Sequence, residues 1–197
     1  MAPRNPEPTR SAIIAAASRL LESGGIEAVT LRAVGDEAGD SRAAPYRHFV
    51  DKAAILQHLA ILTLTGMAER MRTAADGLDP VAGLHARSLA YVHAAVDQPN
   101  HYLLIFGDMP VVSPAPEAEA AADDAMRAIE EGVEQVRDRG QLSAVAQREM
   151  ATIIWVALHG IAQLQITGHL HEPRTLDGDT RLDELVALTI GALGAGQ

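Results

Sequence analysis

"TLRAVGDEAGDSRAAPYRHF", residues 30–49, decides the fold. It holds two short apolar patterns on either side of Gly39. Thr30 suits the N-cap of a helix, because its side-chain oxygen can accept from an amide one turn on. Leu31, Val34 and Ala38 then give one short apolar face. Gly39 breaks that helix, and Ser41 is the N-cap of the next, which ends near His48. Counted from Ser41, Pro45 is the fourth helical residue, where it forfeits a hydrogen bond and crowds a carbonyl. Two helices parted by three or four residues form the pattern of a helix-turn-helix.

The flanking sequence completes the unit. Upstream, Ile13, Ile14, Ala17, Leu20 and Leu21 make one stripe of a helix over Thr9 to Ser23, stopped by Gly24-Gly25. Downstream, Asp51 caps a fourth helix in which Ile55, Leu59 and Leu62 recur at helical spacing, to about Ala75. Residues 1–8 carry three prolines and read as a disordered arm. The rest is helical stretches between breakers. They run from Pro80 to about Asp97, from Pro99 to Phe106, over 117–138, over 143–168 and over 180–195. GDMPVVSPAP (107–116) and HLHEPRTLDGDT (169–180) are the connections. Alanine and leucine supply most of the apolar 48%, aromatics only 3%, so the expected fold is all-α. The expected division is an arm at 1–8, a helix-turn-helix domain at 9–52 and a second helical domain at 53–197.

Charge and composition narrow the function. With no cysteine, disulfides and thiolate chemistry are excluded. The N-terminus shows no apolar signal segment, and Met150 to Ile166 is too short and too polar for a membrane span, so a cytoplasmic protein is expected. Residues 1–52 hold seven basic and seven acidic residues, and residues 53–197 hold nine basic and nineteen acidic. A polyanion would therefore approach the N-terminal part. His169-x-His171 beside Glu172 lacks a partner pair for a metal, and no nucleophile elbow or phosphate-cradling loop is present. No cofactor and no catalysis are expected.

"AIIAAASRLLESGGIEAVTLRAVGDEAGDSRAAPYRHFVDKAAIL", residues 12–56, resembles the DNA-binding domain of TetR-family (tetracycline-repressor-like) transcriptional regulators. Gly24 and Gly25, Thr30-Leu31-Arg32, Ala38-Gly39, Ser41, Tyr46-Arg47-His48-Phe49 and Lys52 carry the likeness. Asp40 departs from it, standing where the family usually has an apolar residue. A second, looser resemblance lies in "IIWVALHGIAQLQ", whose Trp155, His159 and Gly160 are similar to the C-terminal domain of a Trp-His-Gly subgroup of that family.

The resemblance implies a dimer binding an operator in double-stranded DNA and responding to a small molecule. Helix 41–48 would enter the major groove. Arg42 would read guanine, and the Ala43 and Ala44 methyls would meet thymine. Tyr46, His48, Thr30 and Lys52 would hold phosphates, with Arg32 and Arg47 beside them. Phe49 is expected to pack inside. A cavity for a mostly apolar effector would draw on Met67, Met71, His85, Tyr91, Tyr102, Phe106, Trp155, His159 and Gln163. The homodimer interface would draw on Ile154, Leu158, Ile161 and Gln165, and on Leu182, Leu185, Val186, Thr189 and Leu193. Gly160 would let a neighbouring helix approach. Two other readings stay open: a helical carrier or enzyme with a relic helix-turn-helix, and a DNA-binding regulator without a ligand.

Overall fold

The computed structural model describes residues 6–39, 44–107, 115–138, 147–171 and 181–195. The regular structure in them is helical, as expected. The helices are α1 (Pro6–Ala28), α2 (Leu31–Glu37), α3 (Ala44–His48), α4 (Lys52–Ala74), α5 (Pro80–Asp97), α6 (Pro99–Phe106), α7 (Pro116–Asp138), α8 (Gln147–Ile166) and α9 (Leu182–Ile190). A π-helical turn, Gly191–Ala195, follows α9. Residues 108–114 of the connection expected at 107–116, residues 172–180 of that expected at 169–180, and residues 143–146 of the helix expected at 143–168 lie outside the described residues. None of the described helices is long and apolar enough to cross a membrane.

Local chemistry sets most of these ends. Gly25 takes φ +66°, so α1 kinks there and adds one last turn to Ala28 instead of stopping at Ser23. The Thr30 hydroxyl accepts from the Ala33 amide at 3.1 Å and starts α2. Asp51 does the same for the Ala54 amide at 2.8 Å and starts α4. Asp79 Oδ1 accepts from the Val81 and Ala82 amides at 3.1 and 3.2 Å, with Pro80 opening α5.

The chain divides into two compact units. Unit one holds residues 1–63 and 98–119, so α6 belongs with the first three helices. Its core is Ile13, Ala16, Ala17 and Leu21 of α1, with Val29, Val34, Ala44, Phe49, Ile55, Leu56, Leu59, Ala60 and Leu104. The buried α1 face includes Ala16, while Ile14 and Leu20 are only partly covered. Pro45 is the second residue of α3 and is buried, so its ring packs in the interior, which the reading of a merely strained turn did not include. A polar clamp joins α6 to α1. His101 is buried, with Nε2 on Ser18 Oγ and Nδ1 on Glu22 Oε2, both at 2.9 Å. The Asn100 amide donates to the Glu22 carbonyl at 2.7 Å.

Unit two holds residues 64–97 and 120–197, with α5, α8 and α9 packed on one another. Ala121, Ala128, Ile129, Val133 and Val136 form the buried stripe of α7. Arg87 of α5 is 6% exposed and donates to the Ala128 carbonyl at 3.1 Å and to Glu131 at 3.4 Å. Arg72 of α4 binds Asp124 through both terminal nitrogens, at 3.0 and 2.8 Å, and also reaches Glu131. These hydrogen bonds raise the Arg72 pKa and hold Asp124 below the usual carboxylate range.

Two glycine substitutions separate packing from helix propensity. A Cβ on Gly132 would lie 3.0 Å from Arg87 Cδ and from Leu84 Cδ1, and Arg87 is pinned by its hydrogen bonds. Gly132→Ala is expected to cost about 1–3 kcal/mol in urea unfolding. Gly66, in α4, has nothing within 4 Å of that position. Gly66→Ala is expected to add about 0.5–1 kcal/mol.

Candidate nucleic-acid interface and effector region

In unit one the polar groups collect at three helix starts and ends. Thr30 is exposed at the start of α2. Its oxygen accepts from Ala33, which leaves the O–H to donate outward. Arg32, early in α2, is exposed and only loosely paired with Asp36 at 4.0 Å. Tyr46 is 61% exposed on α3, with Arg47 exposed beside it and His48 half-buried. Lys52 opens α4, its Nζ 3.6 Å from Glu27 Oε2. Phe49 is buried as expected, with the Arg10 guanidinium 5.1 Å from its ring centre.

Ser41, Arg42 and Ala43 lie outside the described residues. Ala44 is placed against expectation. It is 0% exposed, inside the core of unit one, so its methyl cannot meet a base edge. The α3 face is turned so that Ala44 and Pro45 look inward and Tyr46 and Arg47 outward. Val50, 87% exposed between α3 and α4, was not singled out in the sequence. An apolar residue in a connection carries no periodicity to mark it.

The nine residues expected around an effector are split between the units. Tyr102 and Phe106 fall in unit one on α6, their rings 4.8 Å apart. The other seven fall in unit two. Met67 and Met71 are buried on α4, and Tyr91 is buried on α5. Trp155 and His159 are half-buried on α8, ring centres 5.7 Å apart. His85 Nε2 and Gln163 Oε1 are buried without a hydrogen-bond partner among the described residues. Such groups ordinarily find water or a ligand. The Arg87, Arg72, Asp124 and Glu131 network was not singled out in the sequence, because its partners are 41 to 59 residues apart.

The interface set is also divided. Ile154, Leu158, Ile161 and Val186 are buried in the core of unit two. Gln165, Leu182, Leu185, Thr189 and Leu193 are half-buried. The exposed apolar side chains of these helices are instead Ile153, Val156 and Leu164 on α8 and Leu188 on α9. α8 is apolar on both sides, so its sequence pattern does not choose a face. Gly160 has nothing within 4 Å of a Cβ, so no neighbouring helix among the described residues approaches it. It lies on the exposed stripe with Ile153, Val156 and Leu164, at i, i+3, i+7 and i+11.

A two-helix reading element in unit one, with donors at the starts of α2 and α4, defines a helix-turn-helix protein with a helical second domain. A family model for "Bacterial regulatory proteins, tetR family" matches residues 13–59. A model for a "Tetracyclin repressor-like, C-terminal domain" matches residues 84–189. The chain belongs to the TetR family of DNA-binding transcriptional regulators. It is similar along its length to solved structures. One is a Rhodococcus sp. RHA1 protein of unknown function, at TM-score 0.82 and 26% identity, covering 95% of this chain and 94% of that one. Another is the TetR-family regulator PfmR from Thermus thermophilus, at 0.70 and 20%, covering 93% and 97%. The fatty acid degradation regulator FadR from Bacillus halodurans follows at 0.73 and 14%, covering 96% of each. The last two likenesses concern the fold. No curated protein matches the chain.

The His159 environment gives a pH dependence. Burial lowers its pKa from the ordinary 6.5, so the folded chain resists protonation there. His58 in unit one is lowered by burial and then by Arg10. The unfolded chain therefore binds more protons below pH 6.5, and stability is complete above that value and falls as pH drops through it. The urea midpoint is expected to decrease from about pH 7.5 to about pH 5.5, and His159→Gln to flatten that decrease. An equal decrease in both proteins assigns the slope elsewhere.

Proposed function

We propose that this regulator is a cytoplasmic repressor that binds a palindromic operator as a homodimer and is released by a small, mostly apolar effector. The observation that carries the reading is the outward α3 face, Tyr46 and Arg47, flanked by the helix starts at Thr30 and Lys52. Helix starts and hydroxyls hold phosphates, and the face between them is left to read bases, with Arg42 as the guanine reader. Ala44 has no part in it. The acid excess of residues 53–197 favours an encounter with DNA through the N-terminal part.

The dimer surface in this reading is the exposed stripe of Ile153, Val156, Gly160 and Leu164 on α8, with Leu188 on α9. Four large apolar side chains, from 44% to 59% exposed on two adjacent elements, ask for a cover. Gly160 in the middle of the stripe suits a close second helix. Two-fold symmetry would then present two α3 helices to half-sites about 34 Å apart. The effector region is drawn on Met67, Met71, Tyr91, Trp155 and His159, with His85 Nε2 and Gln163 Oε1 as its polar anchors. In this reading Trp155, His159 and Gly160 are the signature of the Trp-His-Gly subgroup. α4 begins at Lys52 and carries Met67 and Met71, so an effector that prefers one α4 position shifts the α3 spacing and releases DNA.

Gel-shift titration against fragments flanking the gene tests this. Binding should weaken steeply with salt. Lys52→Ala should weaken all sequences alike, while Arg42→Ala should cost about 1–3 kcal/mol at one base position and relax preference there. Val156→Glu should leave the helical signal intact, give a monomer in ultracentrifugation and abolish operator binding. Absence of salt-sensitive binding on every fragment overturns the repressor reading. A dimer that survives both Val156→Glu and Leu188→Glu overturns the assigned surface.

A further inference from the structure

Unit one contains a groove of about 460 Å³ that the reading above does not use. It lies between α1, α4 and the start of α6. Ser11, Ile14, Ala15 and Ser18 form one face of α1, at i, i+3, i+4 and i+7. Leu59 and Leu62 form the facing wall of α4. Leu62, at helical spacing from the buried Ile55 and Leu59, is itself 46% exposed. Ser11, Ala15 and Ser18 are too small to reach across to it, so the groove stays open. Its volume falls within the range of about 300–1,000 Å³ for small-molecule sites.

The polar groups differ between its two ends. At the α6 end, Ser18 and His101 bond each other at 2.9 Å, and the second His101 nitrogen is on Glu22. That end is internally satisfied, and Glu22 does not line the groove. Thr63 donates to the Leu59 carbonyl at 2.8 Å. At the other end, His58 lines the groove and has no hydrogen-bond partner among the described residues. Its ring lies 6.1 Å from Phe49, over which the Arg10 guanidinium sits at 5.1 Å. Arg10 precedes the lining residue Ser11. The open end thus offers an unpartnered imidazole within reach of a cation, above an apolar wall of Ile14, Leu59 and Leu62.

We propose that this groove is a small-molecule site, separate from the effector region of unit two, that takes an apolar monocarboxylate. The apolar body lies along Ile14, Leu59 and Leu62, and the carboxylate faces Arg10 and His58. The lowered pKa of His58 fits an electropositive end, since Arg10 is one of its two causes. A carboxylate there relieves that repulsion. A neutral molecule of the same shape does not.

The test uses the full-length chain, with sodium decanoate below its micelle concentration and decan-1-ol as the uncharged match. Methyl NMR should show saturable shifts at Ile14, Leu59 and Leu62 with decanoate, and at least about tenfold weaker binding of the alcohol. Arg10→Gln should remove that preference, and Ala15→Leu, which narrows the groove, should abolish the shifts at the three residues. Where Ala15→Leu does not fold, the wild-type shifts and Arg10→Gln decide. No saturable shift at these methyls, equal binding of acid and alcohol, or an Arg10→Gln protein that keeps the preference overturns the proposal. Shifts confined to methyls of unit two overturn it too, while leaving the effector region of that unit standing.

Discussion

Helices of seven and five residues do not persist in water, because each turn must be nucleated before it gains hydrogen bonds. α2 and α3 therefore exist only as far as they are packed. What holds them is the buried face of α1, Ile13, Ala16, Ala17 and Leu21, against Val34, Ala44 and Phe49. Full burial of an Ile, Leu, Val or Phe side chain contributes about 1.5–3 kcal/mol each. The alanines contribute little by area but let the short helices come close. This constraint explains why Ala44 and Pro45 face inward. A five-residue helix has about one and a half turns, and half of it must anchor the rest. Of α3 itself, Tyr46, Arg47 and part of His48 stay exposed.

Each unit also carries a polar tie built on one buried side chain, His101 in unit one and Arg87 in unit two. His101 meets Ser18 and Glu22 in unit one. Arg87 meets Glu131 and the Ala128 carbonyl in unit two, while Arg72 shares Glu131 and takes Asp124. Taking a charge from water costs several kcal/mol, and the pairing roughly offsets that cost. Such ties add little net stability, but removing one partner leaves the other stranded. They fix which faces of α1 and α6, and of α5 and α7, can meet. Gly132 belongs to the same device, since its missing side chain is the space that Arg87 occupies.

The chain discloses its local features and hides its long-range ones. Thr30, Asp51, Gly25, Gly39 and Pro80 act within a few residues of themselves, so their caps and breaks are legible from spacing alone. The face of α8 was not legible. Ile153 and Ile154 are adjacent and equally apolar, and only the packing of α5 and α9 decides that Ile154 goes in and Ile153 stays out. Ala44 was misplaced for a related reason: a small residue in a reading helix suits a groove floor and a core equally. His101 and Arg87 have partners 79 and 44 residues away, and no short-range pattern announces such a pairing. The helix-turn-helix and its family were readable because they rest on local punctuation. The division of the effector set between two units was not, because it depends on where α6 packs.

The net charge of residues 1–52 is zero, so their use against DNA rests on how tightly each cation is held. Among the described residues of this part Arg19 is held tightest, its Nε 2.7 Å from Glu37, and that pair ties α1 to α2. Arg32 is 4.0 Å from Asp36, and Lys52 is 3.6 Å from Glu27, itself 87% exposed. Pairs of that length in water are worth about 0–1 kcal/mol. Arg47 has no ion pair among the described residues. Exchanging such a weak, screened pair for a phosphate costs little and releases counterions. A neutral domain thus presents selectively free positive charge: its strongest pair is structural, and its loosest cations lie on α2, on α3 and at the start of α4, where the exposed hydroxyls of Thr30 and Tyr46 also stand.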